Sequence, residues 1–368
     1  MFLFVISLGF AIFFPLLKLN LTNYVTEYEY TLLVTVWSLS SLLGSQLIGS
    51  YPRLYPKDIN NFKKITFDFF SVCISLLFFL IFVLYYRSFF ATIMFFSCIL
   101  ILGVYELYSY LNSINRNYKG LFACEFANIL PLLSIITCLS IFHSFDSISI
   151  VTSVYLLFGF LFFGFVIRKF SFSFKGFDWS DDYSRTKLAL FFSQANAHLI
   201  PVIVGILYIP EVAAKLLVLY YLLSLPASLN QLLINRVMYS ARNDSIKRLI
   251  AVIILVAIES IVLDIAFQYS LFERLIPYEF SLDFFAIFVF LQSRIFYTIL
   301  FIRSRFLKVS GTVLNKFEVI RLCFMVLSLF AGKFFYFSYD AFLYYLSSSI
   351  VLFCFIFSIF IFKKNNLW

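Results

Sequence analysis

LPASLNQLLINRVMYSARND, residues 225–244, lies between KLLVLYYLLS and RLIAVIILVAI, two runs apolar enough for a membrane interior. It nevertheless holds one proline, two serines, three asparagines, a glutamine and two arginines. As a loop it would only join two spans. As a helix it carries polar groups into the bilayer. Placed at about 100° per residue, Ser224, Ser228, Gln231, Asn235 and Arg242 fall within one narrow stripe. Polar residues scattered along a loop would not align this way, so the spacing predicts a helix with one wet face.

The rest of the chain sets that helix in context. Of 368 residues 62% are hydrophobic and only 13% charged, with a mean hydropathy of +0.97, too apolar for the charged surface of a soluble domain. Backbone groups in hydrocarbon must be satisfied within their own segment, and the runs lack the period-two alternation of an outer-membrane barrel. The fold class expected is therefore an all-α polytopic membrane protein. Cutting at the charged clusters gives twelve apolar segments at 2–20, 30–51, 66–86, 88–110, 121–142, 147–167, 187–208, 216–239, 249–269, 281–301, 313–331 and 341–362. Each is near the ~20 residues a crossing helix needs. The first, MFLFVISLGFAIFFPLL, has neither the basic start nor the small-residue cleavage site of a secretory signal, and reads as a span.

Lysine and arginine test the orientation. With the N-terminus cytoplasmic, 21 of them fall on inner connections and 5 on outer ones, while Arg294 and Arg321 lie inside spans. The positive-inside rule then puts both termini in the cytosol and explains the net charge of +9 with no nucleic-acid partner. The six cysteines sit in apolar runs without metal-ligand spacing and read as small hydrophobes. With 11 glycines and 53 phenylalanines, helix contacts are expected from Ser, Ala and aromatic packing rather than glycine seams.

The chain also reads as written twice. Pro15 and Pro201 are 186 apart, Glu27 and Glu211 184, Gln46 and Gln231 185, all near half the length. In the second segment Ser38, Ser41, Ser45 and Gly49 form a stripe with Gln46 and Arg53 on its flank, as in the eighth. The expected organisation is a six-helix lobe at 1–167, a cytoplasmic interfacial linker at 168–186 and a second six-helix lobe at 187–368, an arrangement of parallel repeats used by transporters.

VTEYEYTLLVTVWSLSSLLGSQLIGSYPR and KLALFFSQANAHLIPVIVGILYIPEVAAKLLVLYYLLSLPASLNQLLINRVMYSAR resemble the second, seventh and eighth helices of polysaccharide-type lipid flippases (the Wzx-like group). That group belongs to the multidrug/oligosaccharidyl-lipid/polysaccharide superfamily. IPEVAA stands where that group has a GPEAVG-type loop, without its glycines. The resemblance implies a transporter without covalent chemistry. It would move undecaprenyl-diphosphate-linked repeat units of O-antigen, capsule or exopolysaccharide to the outer leaflet of a bacterial cytoplasmic membrane. Alternating access driven by an H+ or Na+ gradient is implied, as are membrane lipids and the pathway's polymerase and chain-length proteins as partners.

No catalytic or metal-binding residue is assigned. A diphosphate calls for guanidinium groups, and the candidates are Arg53, Arg236, Arg294 and Arg321. Arg321 can pair with Glu318 three residues earlier; Arg294 has no acid at helical spacing and would pair with another helix, such as through Glu106, or face the cavity. Candidates for sugar hydroxyls and cavity lining are Gln46, Gln194, Asn196, Ser228, Gln231 and Asn235, and His198 shares a face with Gln194 and Pro201. Glu259, near mid-span, is the candidate for ion coupling. Lys18, near an outer end, is expected to snorkel. Two rivals stand beside the flippase. One is a cation-coupled multidrug extruder, which would want acidic groups in its cavity. The other is a membrane-embedded polysaccharide polymerase, which would want a large outer loop.

Overall fold

The computed structural model describes residues 13–49, 64–114, 118–142, 146–169, 171–175, 182–240, 245–272, 276–306, 311–334 and 338–364. Residues 13–20 are helical (α1). They are followed by α2 (Glu27–Gly44), α3 (Phe69–Tyr86), α4 (Phe89–Ile114), α5 (Tyr118–Ile141), α6 (Ser147–Lys169) and α7 (Asp182–Leu207). Then come α8 (Pro210–Ser240), α9 (Ser245–Gln268), α10 (Phe284–Phe306), α11 (Gly311–Phe334) and α12 (Tyr339–Lys364). The chain is an all-α membrane protein: among the described residues eight helices are long and apolar enough to cross a bilayer. These are α2–α6, α8, α9 and α12. Among the described residues, shorter apolar stretches run over His198–Leu207 in α7 and Phe284–Leu300 in α10. Lys316, Glu318, Arg321 and Lys333 dilute α11.

The stretch 225–240 is helical throughout, continuing α8 past Pro226. Helix starts are fixed by short side chains. Thr26 caps α2 in a reciprocal box with Glu29, whose carboxylate also takes the Ser147 hydroxyl at the start of α6. Ser88, Asp146 and Ser338 accept the early backbone N–H groups of α4, α6 and α12. Pro210 opens α8, where its missing N–H costs nothing.

Two compact units divide the chain at Val202/Ile203. The division falls inside α7, beyond the linker expected at 168–186, because Phe191 packs edge-on against Phe70 and Gln194 bonds Gln46, both in the first unit. Two segments expected to be span or linker are strands instead. β1 (Lys64–Asp68) and β2 (Ser171–Lys175) form a parallel pair, with Phe67 and Phe172 stacked at 5.9 Å. A strand pair satisfies backbone groups at the start of α3 that a ragged helix end would leave bare. Ile65 of β1 is buried with Ile48, Val104, Leu107 and Val166.

In the first unit α4 is the central element, touching α2, α3, α5 and α6. α2 is 89% buried over its membrane-length window, whereas α3 is 11% buried and presents Leu76, Leu77, Leu80 and Leu84 outward. In the second unit α10 touches α8, α9 and α12. Around α12, Phe353 and Phe357 form the core with Phe317, Phe360 and Tyr297.

The tightest helix contact overturns the expectation that glycines would not matter. A Cβ on Gly44 would lie 2.7 Å from the Ile99 carbonyl and 2.8 Å from the Gly103 nitrogen, and one on Gly103 would lie 2.9 Å from the Gly44 carbonyl. α2 and α4 therefore meet backbone to backbone. Gly159 of α6 lies as close to Ser97 on another side of α4. Directly after Gly44 the helix widens into a π turn, Ser45–Gly49. Gly44→Val is expected to lower stability by about 1–3 kcal/mol through overpacking. Gly164→Ala, at a position with open space around it, should be neutral or slightly stabilising. Thermal unfolding of the two purified variants in one detergent makes the comparison, and equal midpoints would refute the contact.

Candidate functional site

Polar side chains inside membrane-spanning helices are costly unless the protein meets them, so their partners show what each can do. Arg53 lies outside the described residues, as do the side chains of Ser228, Gln231, Asn235 and Arg236, although the last four stand on the helical backbone of α8.

In the first unit, the π turn carries Gln46 to α7, where its Nε2 donates to Gln194 Oε1 at 2.5 Å. The Ser71 hydroxyl donates to the Gln46 carbonyl at 3.3 Å, tying α3 to the same turn. Gln46 is fully buried and Asn196, two residues beyond Gln194 on α7, is nearly so, with its Nδ2 on the Phe192 carbonyl. The two glutamines singled out as separate cavity residues are thus brought to each other. The second-segment stripe is also enclosed: Ser38 and Ser45 are buried and only Ser41 is partly exposed. Lys18 turns inward instead of snorkelling, its ammonium 4.6 Å from the Phe14 ring centre and 5.0 Å from that of Trp37.

The second unit holds three polar groupings. Glu318 and Arg321 on α11 form an ion pair at 3.5 Å, with side chains 2% and 11% exposed. Tyr297 of α10 donates to Glu318 at 2.6 Å, and its ring lies 4.1 Å from the Arg321 guanidinium carbon, with Phe353 of α12 at 5.7 Å. Charge, hydrogen bond and ring face are all used within α10–α12.

Arg294 is met differently. Its Nη2 donates to the Tyr220 hydroxyl of α8 at 3.2 Å, and its guanidinium lies 5.2 Å from the Phe290 ring and 5.5 Å from that of Tyr220. Among the described residues it meets no carboxylate, and its Nε is buried with no hydrogen-bond partner. It is a partly buried cation with an N–H to spare.

Glu259 of α9 takes the amide of Asn230 from α8 at 2.5 Å. Asn230 is fully buried, and its own Oδ1 has no hydrogen-bond partner among the described residues. Six residues before Glu259 on α9, the Ile253 carbonyl accepts from Gln292 Nε2 of α10 at 3.3 Å, and among the described residues the Gln292 Oε1 has no hydrogen-bond partner. An amide that donates to a carboxylate while keeping an unused acceptor is suited to a group that gains and loses a small cation. Among the described residues no cluster of three or more His, Cys, Asp and Glu could hold a metal ion.

Asn230, Tyr220 and Tyr297 were not singled out by sequence reasoning. Asn230 stands off the α8 stripe, and only the packing of α9 gives it a role. The two tyrosines are inconspicuous among 24. Comparison with known proteins adds no assignment: no protein-family model, no curated protein and no solved structure matches the chain.

Removing one member of the α11 ion pair strands a buried charge, at a cost of about 3–5 kcal/mol. Glu318→Gln should therefore unfold far more readily than Glu318→Leu combined with Arg321→Met. A double-mutant cycle by denaturant titration reads the coupling directly. Additive effects would mean that the two side chains do not interact.

Proposed function

We propose that this protein moves undecaprenyl-diphosphate-linked oligosaccharide repeat units from the inner to the outer leaflet of a bacterial cytoplasmic membrane. In this reading the chain is built of two six-helix lobes and opens alternately to either side of the membrane, and an H+ or Na+ gradient drives the cycle. The reading rests on the residue resemblance noted above and, above all, on Arg294. A guanidinium in mid-span costs at least ~2.5 kcal/mol even on translocon scales. Where no carboxylate offsets that cost, an anionic ligand is the natural counter-charge, and guanidinium suits phosphate in particular.

Other observations support parts of the proposal. Three of the four neighbours of α4 (α2, α3 and α6, but not α5) correspond under a shift of six helices to the neighbours of α10 (α8, α9 and α12). This is the order expected if α1–α6 and α7–α12 repeat one unit. Glu259 with Asn230 is the candidate for ion coupling. Arg53 and Arg236 would present further cations at the cytosolic mouth, and Gln194, Asn196, Ser228, Gln231 and Asn235 amides and hydroxyls for sugars. Arg321, committed to Glu318, would serve by holding α10–α12 together.

The test is a deletion strain in which repeat-unit synthesis continues and lipid-linked units are assayed leaflet by leaflet. Units should accumulate on the inner leaflet, and the wild-type gene should clear them. Arg294→Ala, present at equal membrane level, should slow transfer roughly 10- to 100-fold, the equivalent of losing a charge-assisted hydrogen bond of about 1.5–3 kcal/mol. Glu259→Gln should leave residual transfer insensitive to collapse of the ion gradient. Unpolymerised units reaching the outer leaflet would identify a polymerase. Sensitivity to cationic drugs with no trapped lipid would identify an extruder.

A further inference from the structure

A cavity of about 450 Å³ lies between α4, α5 and α6 of the first unit. Its floor on α5 is Gly120, Ala123 and Ala127, small side chains at helical spacing that leave room between neighbouring helices. Its walls are aromatic, with Tyr105 and Tyr108 of α4 facing Phe162 of α6. Val104 at its back is buried, whereas Ala123 and Phe165 are exposed, so the slot opens sideways from the helix bundle. An opening on that flank of three spanning helices meets lipid rather than water.

The polar features sit at one end. Lys119 immediately precedes Gly120, and Arg168 and Lys169 follow Phe165 by three and four residues, which puts them one turn beyond the wall. All three cations are exposed. Asn112, one turn past Tyr108, also lines that end. Two carboxylates lie near the slot: Glu125, about 9 Å further along α5 from Lys119, accepts the Tyr105 hydroxyl at 2.9 and 3.0 Å, and Glu106 of α4 is close enough to interact with Glu125. At the other end, an apolar slot capped by three exposed cations is complementary to a lipid that carries its negative charge at the headgroup.

We propose that this slot binds an anionic phospholipid of the bilayer, one acyl chain lying along α5 and the phosphate against Lys119, Arg168 and Lys169. The distribution of lysine and arginine makes this the cytosolic leaflet. Bulk phospholipid, present around the protein at far higher concentration than any prenyl-linked intermediate, is the occupant. The contact would brace α4, the helix on which the first unit is packed, from the side opposite its glycine contact with α2.

Native mass spectrometry of the full-length protein in mild detergent tests this, with phosphatidylglycerol, phosphatidylcholine and undecaprenyl phosphate added in separate and competing arms. A one-to-one phosphatidylglycerol adduct should survive delipidation, with phosphatidylcholine much weaker. Ala123→Phe, which fills the slot, should abolish it, while Ala251→Phe on the exposed face of α9 should not. Exchanging Lys119, Arg168 and Lys169 together for alanine removes only exposed groups and does not depend on core packing. It should reduce the preference for phosphatidylglycerol roughly 10- to 100-fold. An unchanged preference in that triple variant would overturn the proposal, whatever the folding of Ala123→Phe. Equal binding of phosphatidylcholine by the wild type would overturn it as well. Displacement of phosphatidylglycerol by equimolar undecaprenyl phosphate would reassign the slot to a prenyl chain.

Discussion

Hydrocarbon offers no hydrogen bonds and no counter-ions, so each polar group carried into it must be answered by the protein itself. That requirement governs what surrounds the polar side chains of this chain. Gln46 is answered by Gln194, Glu259 by Asn230, Glu318 by Arg321 and Tyr297, and Ser40 by the Phe95 carbonyl. Gln46 with Gln194 and Ser40 with Phe95 link helices that are not consecutive in sequence, Asn230 with Glu259 and Tyr297 with Glu318 link consecutive ones, and each constrains register in a way that apolar packing against lipid-like side chains does not. Among the described residues, the Arg294 Nε and the Asn230 and Gln292 oxygens are buried without a hydrogen-bond partner, as are the hydroxyls of Ser45, Ser75 and Thr152.

The two units meet the same demand with different materials. In the first, close approach of backbones does much of the work: Gly44, Gly103 and Gly159 let α2 and α6 press onto α4, and contact area replaces charge. Its mid-span pair, Gln46 with Gln194, is neutral. In the second, aromatic rings and ionised groups share the task, with Tyr297 and Phe353 flanking a guanidinium already paired to Glu318. On the proposed cycle, Arg294 and the coupling carboxylate Glu259 belong to the second unit, while the first contributes Arg53 and the amides of Gln194 and Asn196.

Much of the architecture was legible because the bilayer imposes one dominant rule on sequence. That 225–240 is helix follows from spacing alone, and the apolar runs follow from length. The start of α3 was harder to read. KITFD has the alternation of a strand but abuts FFSVCISLLFFLIF, and an apolar boundary hides where one element stops and another begins. The glycine contact was missed because a low glycine count says nothing about where glycines fall. Two single residues from different helices, Gly44 and Gly103, must be placed together before their role is visible. Asn230 was missed for a related reason, since its partner lies 29 residues away on another helix. Pairing within one helix was accessible from spacing, as with Glu318 and Arg321; pairing between helices was not.

The contrast between the two intramembrane arginines carries the functional argument furthest. Both lie on helices whose sequence reads as a span, and by residue type they are equivalent. Arg321 has an acid one turn away, a tyrosine hydroxyl sharing that acid and two ring faces, so a ligand phosphate would have to displace contacts already made. Arg294 has one neutral hydroxyl and ring faces, which ease its desolvation without cancelling its charge. A guanidinium held this way keeps its attraction for an anion and retains a donor to direct at it. Tyr220, 6% exposed, fixes the direction in which that guanidinium points. Selectivity for an anionic substrate on the proposed cycle would then come from how incompletely a single charge is met, rather than from how many charges line the path.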